Sequence, residues 1–323
     1  MNKSKKISII IAIILFVIGV IISACGLCSI NFDFSTLNTM NTVTKTYTVD
    51  ESFRNIHIEG AECDVRLMAS NDDKCRVICN ESDKISHSVS TQNETLTIKR
   101  IDNRKWYEHI GIFFWDNIEI DVYLPEIEYK ELYIKSMSGN IEIPENFTFS
   151  KADVDSTSGD VSFLSNVKKE ASIKTVSGDI YVGKSSAKKI DIHSTSGDLT
   201  ISSINFSDEI KVKSVSGDIK LSNIECQNII SNTTSGNHTF SSVNAKNNIR
   251  IESVSGDVDL YQCDSETMNI KTTSGDVTGT LLTDKIFDIK TTSGNINVPQ
   301  SDIGGKCEIR TTSGDVKLAI NKQ

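Results

Sequence analysis

The chain has 323 residues, 38% hydrophobic and 24% charged, which is apolar enough for a core and too weakly charged for a disordered coil. A formal net charge of −9 lacks the basic footprint that phosphate binding needs, so nucleic acid is not an expected partner. Three prolines and 7% aromatic residues argue against a long disordered linker or an aromatic-lined sugar cleft.

From Ile7 to Ile30 there is no charged residue, a run long enough to cross a bilayer as a helix. Lys3, Lys5 and Lys6 precede it and the next basic residue is Lys45. This predicts a signal anchor over 1–30, single-pass in the cell membrane, N-terminus cytoplasmic and the bulk extracytoplasmic. A lipoprotein anchored at Cys25 is the competing reading, because Ile22-Ser23-Ala24-Cys25 resembles a lipobox. The apolar run continues past Cys25 and favours the uncleaved span. Cys25 and Cys28 form a lone CxxC, a weak signal for redox chemistry or zinc. Residues 31–45 read as a polar linker rich in Thr and Asn.

Residues 46–135 read as an irregular β region that caps a longer repeat array. Within it, NIHIEGAECDVRL already fits the register of the later repeat, with Ile56, Ile58, Asp64, Val65 and Leu67 in the right columns and Cys63 in the glycine slot. ETLTIKR and NIEIDVYLPEIEYKELYI also read as strands. The aromatic stretch Lys105–Trp115 is either the core of the cap or an exposed tip. Cys75 and Cys79 lie four apart on one strand, about 13 Å, too far for a disulfide. Pairing of Cys63 with either stays open, and Cys263 and Cys307 read as buried free thiols.

Over 136–323 one phrase recurs. Ser-Gly-Asp or Ser-Gly-Asn places Gly139, Gly159, Gly178, Gly197, Gly217, Gly236, Gly256, Gly275, Gly294 and Gly314 at intervals of 19 or 20 residues. Seven and five before the glycine, and two and four after it, the chain is apolar in almost every copy, as in Ile210/Val212 and Ile219/Leu221. Three before it stands Ser or Thr. Apolar residues return about seven after it (Ile204, Ile224, Val243, Leu282), suggesting a third short strand. Alternation of period two around a repeated glycine means strand, corner, strand. Coils that repeat in register stack, so the expected fold is all-β, a parallel β-solenoid of about ten coils.

The corner residues have structural work: Gly for positive φ, Ser and Asp/Asn for local hydrogen bonds. The same spacing stacks Asp160, Asp179, Asp198, Asp218, Asp257, Asp276 and Asp315 about 5 Å apart, and calcium would relieve their repulsion. Asn140, Asn237 and Asn295 interrupt the column, which favours a corner-only role with no cofactor. Four before the glycines, Lys135, Lys174, Lys213, Lys271, Lys290 and Arg310 suggest a basic stripe for an anionic wall polymer or lipid headgroup, weighed against a plain solvated face. The last alternation, Val316, Leu318 and Ile320, shows no cap and reads as an open edge for end-to-end self-association. The five histidines are scattered and no nucleophile or metal spacing appears, so catalysis is not expected.

The ten Ser-Gly-Asp/Asn units, IEIDVYLP before the first of them, and an N-terminal span followed by FDFSTLNT resemble the bacterial DUF4097 family of β-strand repeat proteins. The resemblance implies a membrane-anchored surface protein of candidate adhesin type and supplies no catalytic residues. The expectation is therefore a non-enzymatic surface β-solenoid for adhesion or envelope interaction, binding a cell-wall polymer or surface protein. The alternative is a polymerising scaffold or accessory protein of a cell-envelope stress system.

Overall fold

The computed structural model of the protein describes residues 15–21, 42–105 and 119–321. Residues 15–21 are helical, and among the described residues no helix is long and apolar enough to cross a membrane. Most of the expected span, Cys25, Cys28 and the aromatic stretch after Lys105 lie outside the described residues.

In chain order the strands are β1 (Val43–Val49), β2 (Asn55–Glu62), β3 (Asp64–Ala69), β4 (Cys75–Glu81), β5 (Ile85–Gln92), β6 (Thr95–Asp102) and β7 (Glu119–Leu124). The first repeats give β8 (Glu128–Ser138), β9 (Ile141–Ile143), β10 (Thr148–Ser158), β11 (Val161–Phe163), β12 (Asn166–Ser177), β13 (Ile180–Gly183) and β14 (Lys189–Ser196). The middle repeats run on as β15 (Leu199–Lys213), β16 (Ile219–Ser235), β17 (His238–Ser255) and β18 (Val258–Lys271). The last are β19 (Val277–Leu281), β20 (Lys285–Lys290), β21 (Ile296–Asn297), β22 (Gly305–Arg310) and β23 (Val316–Ile320).

All pairing between coils is parallel, with equivalent repeat positions aligned on either side of local bulges, for example Ile210↔Ile229↔Ile249↔Met268 and Ile219↔His238↔Val258. The expected β-solenoid is what the chain builds. Nine stacking steps join the ten corners, a rod of roughly 43 Å at about 4.8 Å per step. Alternation puts the apolar columns inside, where Leu132, Ile134, Phe163, Ile192, Leu221 and Ile251 are wholly buried. A second corner forms six residues after the glycine, where Lys184, Ser203, Asn223, Ser242 and Gln262 take left-handed φ of 52–57°. Ile204, Ile224 and Val243 follow it into the core, as the third short strand required. Leu282 does not join them: Leu281 takes the place, paired with Cys263.

The N-terminal coil is a true one. Ile56 and Ile58 pair with Leu132 and Ile134, and Val65 with Ile141. The capping layer lies outside it and is drawn from later sequence, β4 to β7, and from β1 before it. β6 covers β2 and β7 covers β3, both parallel, while β5 closes over β6 and β4 then β1 over β7, all antiparallel. β1 begins at Val43, inside the stretch expected to be linker.

The other end corrects the expectation of an open edge at Val316–Ile320. The last strands are not the end of the rod. β22 pairs with β18 on one side and β20 on the other, and β23 lies between β19 and β21. In space the corners run Gly256, Gly275, Gly314, Gly294. Gly304 and Gly305 make this re-entry feasible: a Cβ on Gly305 would lie 2.2 Å from the Glu266 carbonyl oxygen. Opposite Gly305, the buried Lys285 reaches past it to the next layer, its Nζ 2.5 Å from Asp264 Oδ1 and 2.8 Å from the Ser265 carbonyl.

Candidate functional site

The repeated corner is the candidate site, and its geometry comes from how the chain turns. From Gly159 to Gly275, and at Gly314, the corner glycine donates its N–H to the Ser carbonyl of the next coil, as Gly217 does to Ser235 at 3.1 Å. The amide of the following Asp or Asn points back to the preceding coil. There it meets a side chain: Asp218 N donates to Asp198 Oδ1 and Asp198 N to Asp179 Oδ1, both at 2.8 Å. The pattern runs unbroken from Asn140 on Asp64, through Asp160, Asp179, Asp198, Asp218, Asn237, Asp257, Asp276 and Asp315, to Asn295 on Asp315. The column is a hydrogen-bond ladder in which side-chain oxygens stand in for missing backbone acceptors. Asn has the same Oδ1, which is why it can replace Asp without breaking the run.

The ladder commits one oxygen of each carboxylate to a backbone amide. Among the described residues no group of three or more His, Cys, Asp and Glu side chains is placed to hold a metal ion. Spatial order also changes the charge pattern: Asp257, Asp276 and Asp315 are consecutive, and Asn295 ends the column instead of interrupting it. Asp198→Asn is therefore expected to leave stability within about 0.5 kcal/mol, while Asp198→Ala costs about 1 kcal/mol or more by stranding the Asp218 amide. Paired urea titrations of the two variants check this.

The Ser/Thr three before the glycine lies buried under the corner except at Thr291. In the first two repeats Ser136 and Ser156 donate to the Ser138 and Ser158 carbonyls, while the hydroxyls from Thr175 to Thr272 and of Thr311 have no hydrogen-bond partner among the described residues. Glycine itself is demanded by close approach more than by φ. At Gly139 φ is +96°, but Gly275 and Gly314 are outside the left-handed range. All share one constraint: a Cβ would sit 2.0–2.4 Å from a backbone atom of the neighbouring corner. Cys63 fits its slot because no described corner stacks on its Cβ side.

The basic residues do share one column, but not as a basic stripe. Lys135 lies between Glu59 and Asp155, Lys174 between Asp155 and His193, and Lys213 between His193 and Asn232. Glu252 precedes Lys271, and the re-entrant order then gives Lys271, Arg310, Lys290. Arg310 is held by Asp288 at 2.7 Å and Glu308 at 3.1 Å. Most of this face is a mixed-sign ladder of the sort that stabilises cross-strand neighbours.

The six cysteines among the described residues are free and buried. Burial pushes the thiols up, to about 12 at Cys63, Cys75, Cys79, Cys226 and Cys307 and about 11 at Cys263, so they are unreactive.

One pair was not anticipated from the sequence. Ser231 and His238 both break apolar columns of the same coil, and the structure joins them, Ser231 Oγ 2.9 Å from His238 Nδ1, both wholly buried. Two polar residues at inward positions of one repeat were the available signal. They resemble a nucleophile and base but lie inside the core, out of a substrate's reach. Nε2 of His238 has no hydrogen-bond partner, although the Glu252 backbone lies close enough to favour its proton. Burial outweighs that and lowers the His238 pKa from 6.5 to about 4. The unfolded chain binds this proton more readily, so stability falls as pH drops from 6.5 towards 4, by about 3 kcal/mol at the limit. Denaturant midpoints across that range should slope less in a Ser231→Ala, His238→Phe variant.

Among solved structures, a candidate adhesin from Parabacteroides distasonis aligns over 86% of this chain and 98% of its own, at 9% identity and a TM-score of 0.42. A candidate lipid-binding protein from the same organism aligns over 87% and 97%, at 14% identity and 0.42. A candidate adhesin from Bacteroides fragilis aligns over 87% and 97%, at 16% identity and 0.33. Among curated proteins nothing matches. The family model described as Toastrack DUF4097 matches residues 53–208 and 205–323, nearly all of the solenoid and its cap, and the chain belongs to the DUF4097 family.

Proposed function

We infer that this is a non-enzymatic, membrane-anchored cell-surface protein, a rigid β-solenoid rod for adhesion or envelope interaction. The observation that carries the reading is the equivalence of the coils. Corner and hydrogen-bond ladder repeat from one to the next, which suits recognition of an extended partner more than chemistry at one cleft. The uncharged run from Ile7 to Ile30 behind Lys3, Lys5 and Lys6 supports a single-pass anchor with the bulk outside the cytoplasm, a lipid-linked Cys25 being the other form. A cell-wall polymer or a second surface protein is the partner class. A polymerising scaffold or envelope-stress accessory protein is the alternative, favoured by the half-exposed coil that ends the rod at β20 and β21.

Protease treatment of intact cells should degrade the full chain down to a membrane-embedded N-terminal stub. The protein should be retained by wall, glycan or surface-protein fractions in a pull-down. Protection from external protease would remove the surface reading, and absence of binding to all three fractions would remove adhesion.

A further inference from the structure

The two ends of the rod differ. At the N-terminal end, antiparallel strands close the stack, and the outermost, β1, shows solvent Thr44, Lys45 and Thr46, polar side chains that discourage further pairing. At the other end, among the described residues, β20 pairs only with β22 and β21 only with β23. The side chains that are fully buried in the neighbouring coil, such as Ile309 and Val316, have their counterparts here half-open: Ile289 is partly exposed and Ile296 is 48% exposed. Among the described residues nothing covers this cross-section of the solenoid core or pairs with the strand edge beside it.

We propose that this end binds a second copy of the chain, β20 to β20, in an antiparallel two-fold pair centred on Ile289. The backbone direction suits it. Thr311 N donates to the Lys290 carbonyl, so Lys290 faces β22 and Ile289 presents its amide and carbonyl to the open edge. The charges suit it too. In Asp288-Ile289-Lys290, antiparallel pairing about Ile289 sets Asp288 of each copy opposite Lys290 of the other, twice, by symmetry. Lys290 is exposed, and the Asp288 side chain keeps 46% exposure beside Arg310. A head-to-tail stack has no such match, because the closed end offers antiparallel polar edges. The proposal rests on the geometry of this end and stands apart from the surface reading.

The test uses the full chain in detergent. Ile289→Cys should give a disulfide-linked dimer on mild oxidation, with none for wild type or for Thr234→Cys on the side of the rod. Lys290→Asp should weaken the dimer at least tenfold in sedimentation. Mixing it with an Asp288→Lys copy should give a heterodimer where neither variant alone associates. A monomer at all concentrations with no Ile289→Cys dimer overturns the proposal. So does a crosslink from position 289 to Cys25 or Cys28 of the same chain, which would show the N-terminal segment covering the end.

Discussion

Gly217→Ala is expected to destabilise the protein by about 3 kcal/mol or more, although it adds one methyl group at a corner. The new Cβ would lie 2.1 Å from the Gly197 carbonyl oxygen and 2.7 Å from its carbon. Backbone stands on both sides, so no side chain can move aside. The two layers must part, which strains the Gly197 amide bond to Ser216 (3.2 Å) and the Asp218 bond to Asp198 (2.8 Å). Overpacking of this kind costs about 1–3 kcal/mol and each weakened hydrogen bond about 1 more. Cys63→Ala is the contrast: the same slot with no described corner above it should lose only buried sulfur, about 1 kcal/mol. Thermal melts of the two variants give the comparison. Equal losses would show that backbone conformation, not stacking distance, selects glycine.

Asp264→Ala should cost about 3–5 kcal/mol, because it leaves Lys285 buried without its counter-ion. The Lys285 side chain is 2% exposed and its ammonium spans from β20 to the layer of β18, bonded to Asp264, the Ser265 carbonyl and Thr283 Oγ1. Removing both charges together, in Lys285→Met with Asp264→Asn, should be close to neutral. The pair pins the re-entrant end, so hydrogen exchange in Asp264→Ala should rise first in β20 and β22. Exchange spread evenly over the rod would count against that placement.

Much of the fold was legible in the sequence because the solenoid repeats its physics. Period-two alternation fixed which residues face inward, and Ile56, Ile58, Val65 and Leu67 could be placed in register before the first glycine. The glycine, serine and aspartate columns were visible as columns. Their cause was less so: positive φ explains Gly139, while Gly275 needs the approach of the next backbone, which only three dimensions show. The order of the last coils was hidden for a similar reason. A 19- or 20-residue repeat says which positions stack, but not which neighbour they stack on. Lys285 in an inward place, opposite Gly304-Gly305, was the local mark of the exchange. It also regrouped Lys271, Arg310 and Lys290 and moved the open edge from Val316 to Ile296. Ser231 and His238 were overlooked because each column was read for its majority residue.

The central claim is that the Ser-Gly-Asp column is a hydrogen-bond ladder that needs no metal. The most direct measurement is a thermal melt of the protein in millimolar calcium and in chelator. The ladder predicts the same midpoint in both, because every amide along the column already has its Oδ1 acceptor. A midpoint several degrees higher in calcium, with several ions bound per chain, would contradict it and make the column a metal site.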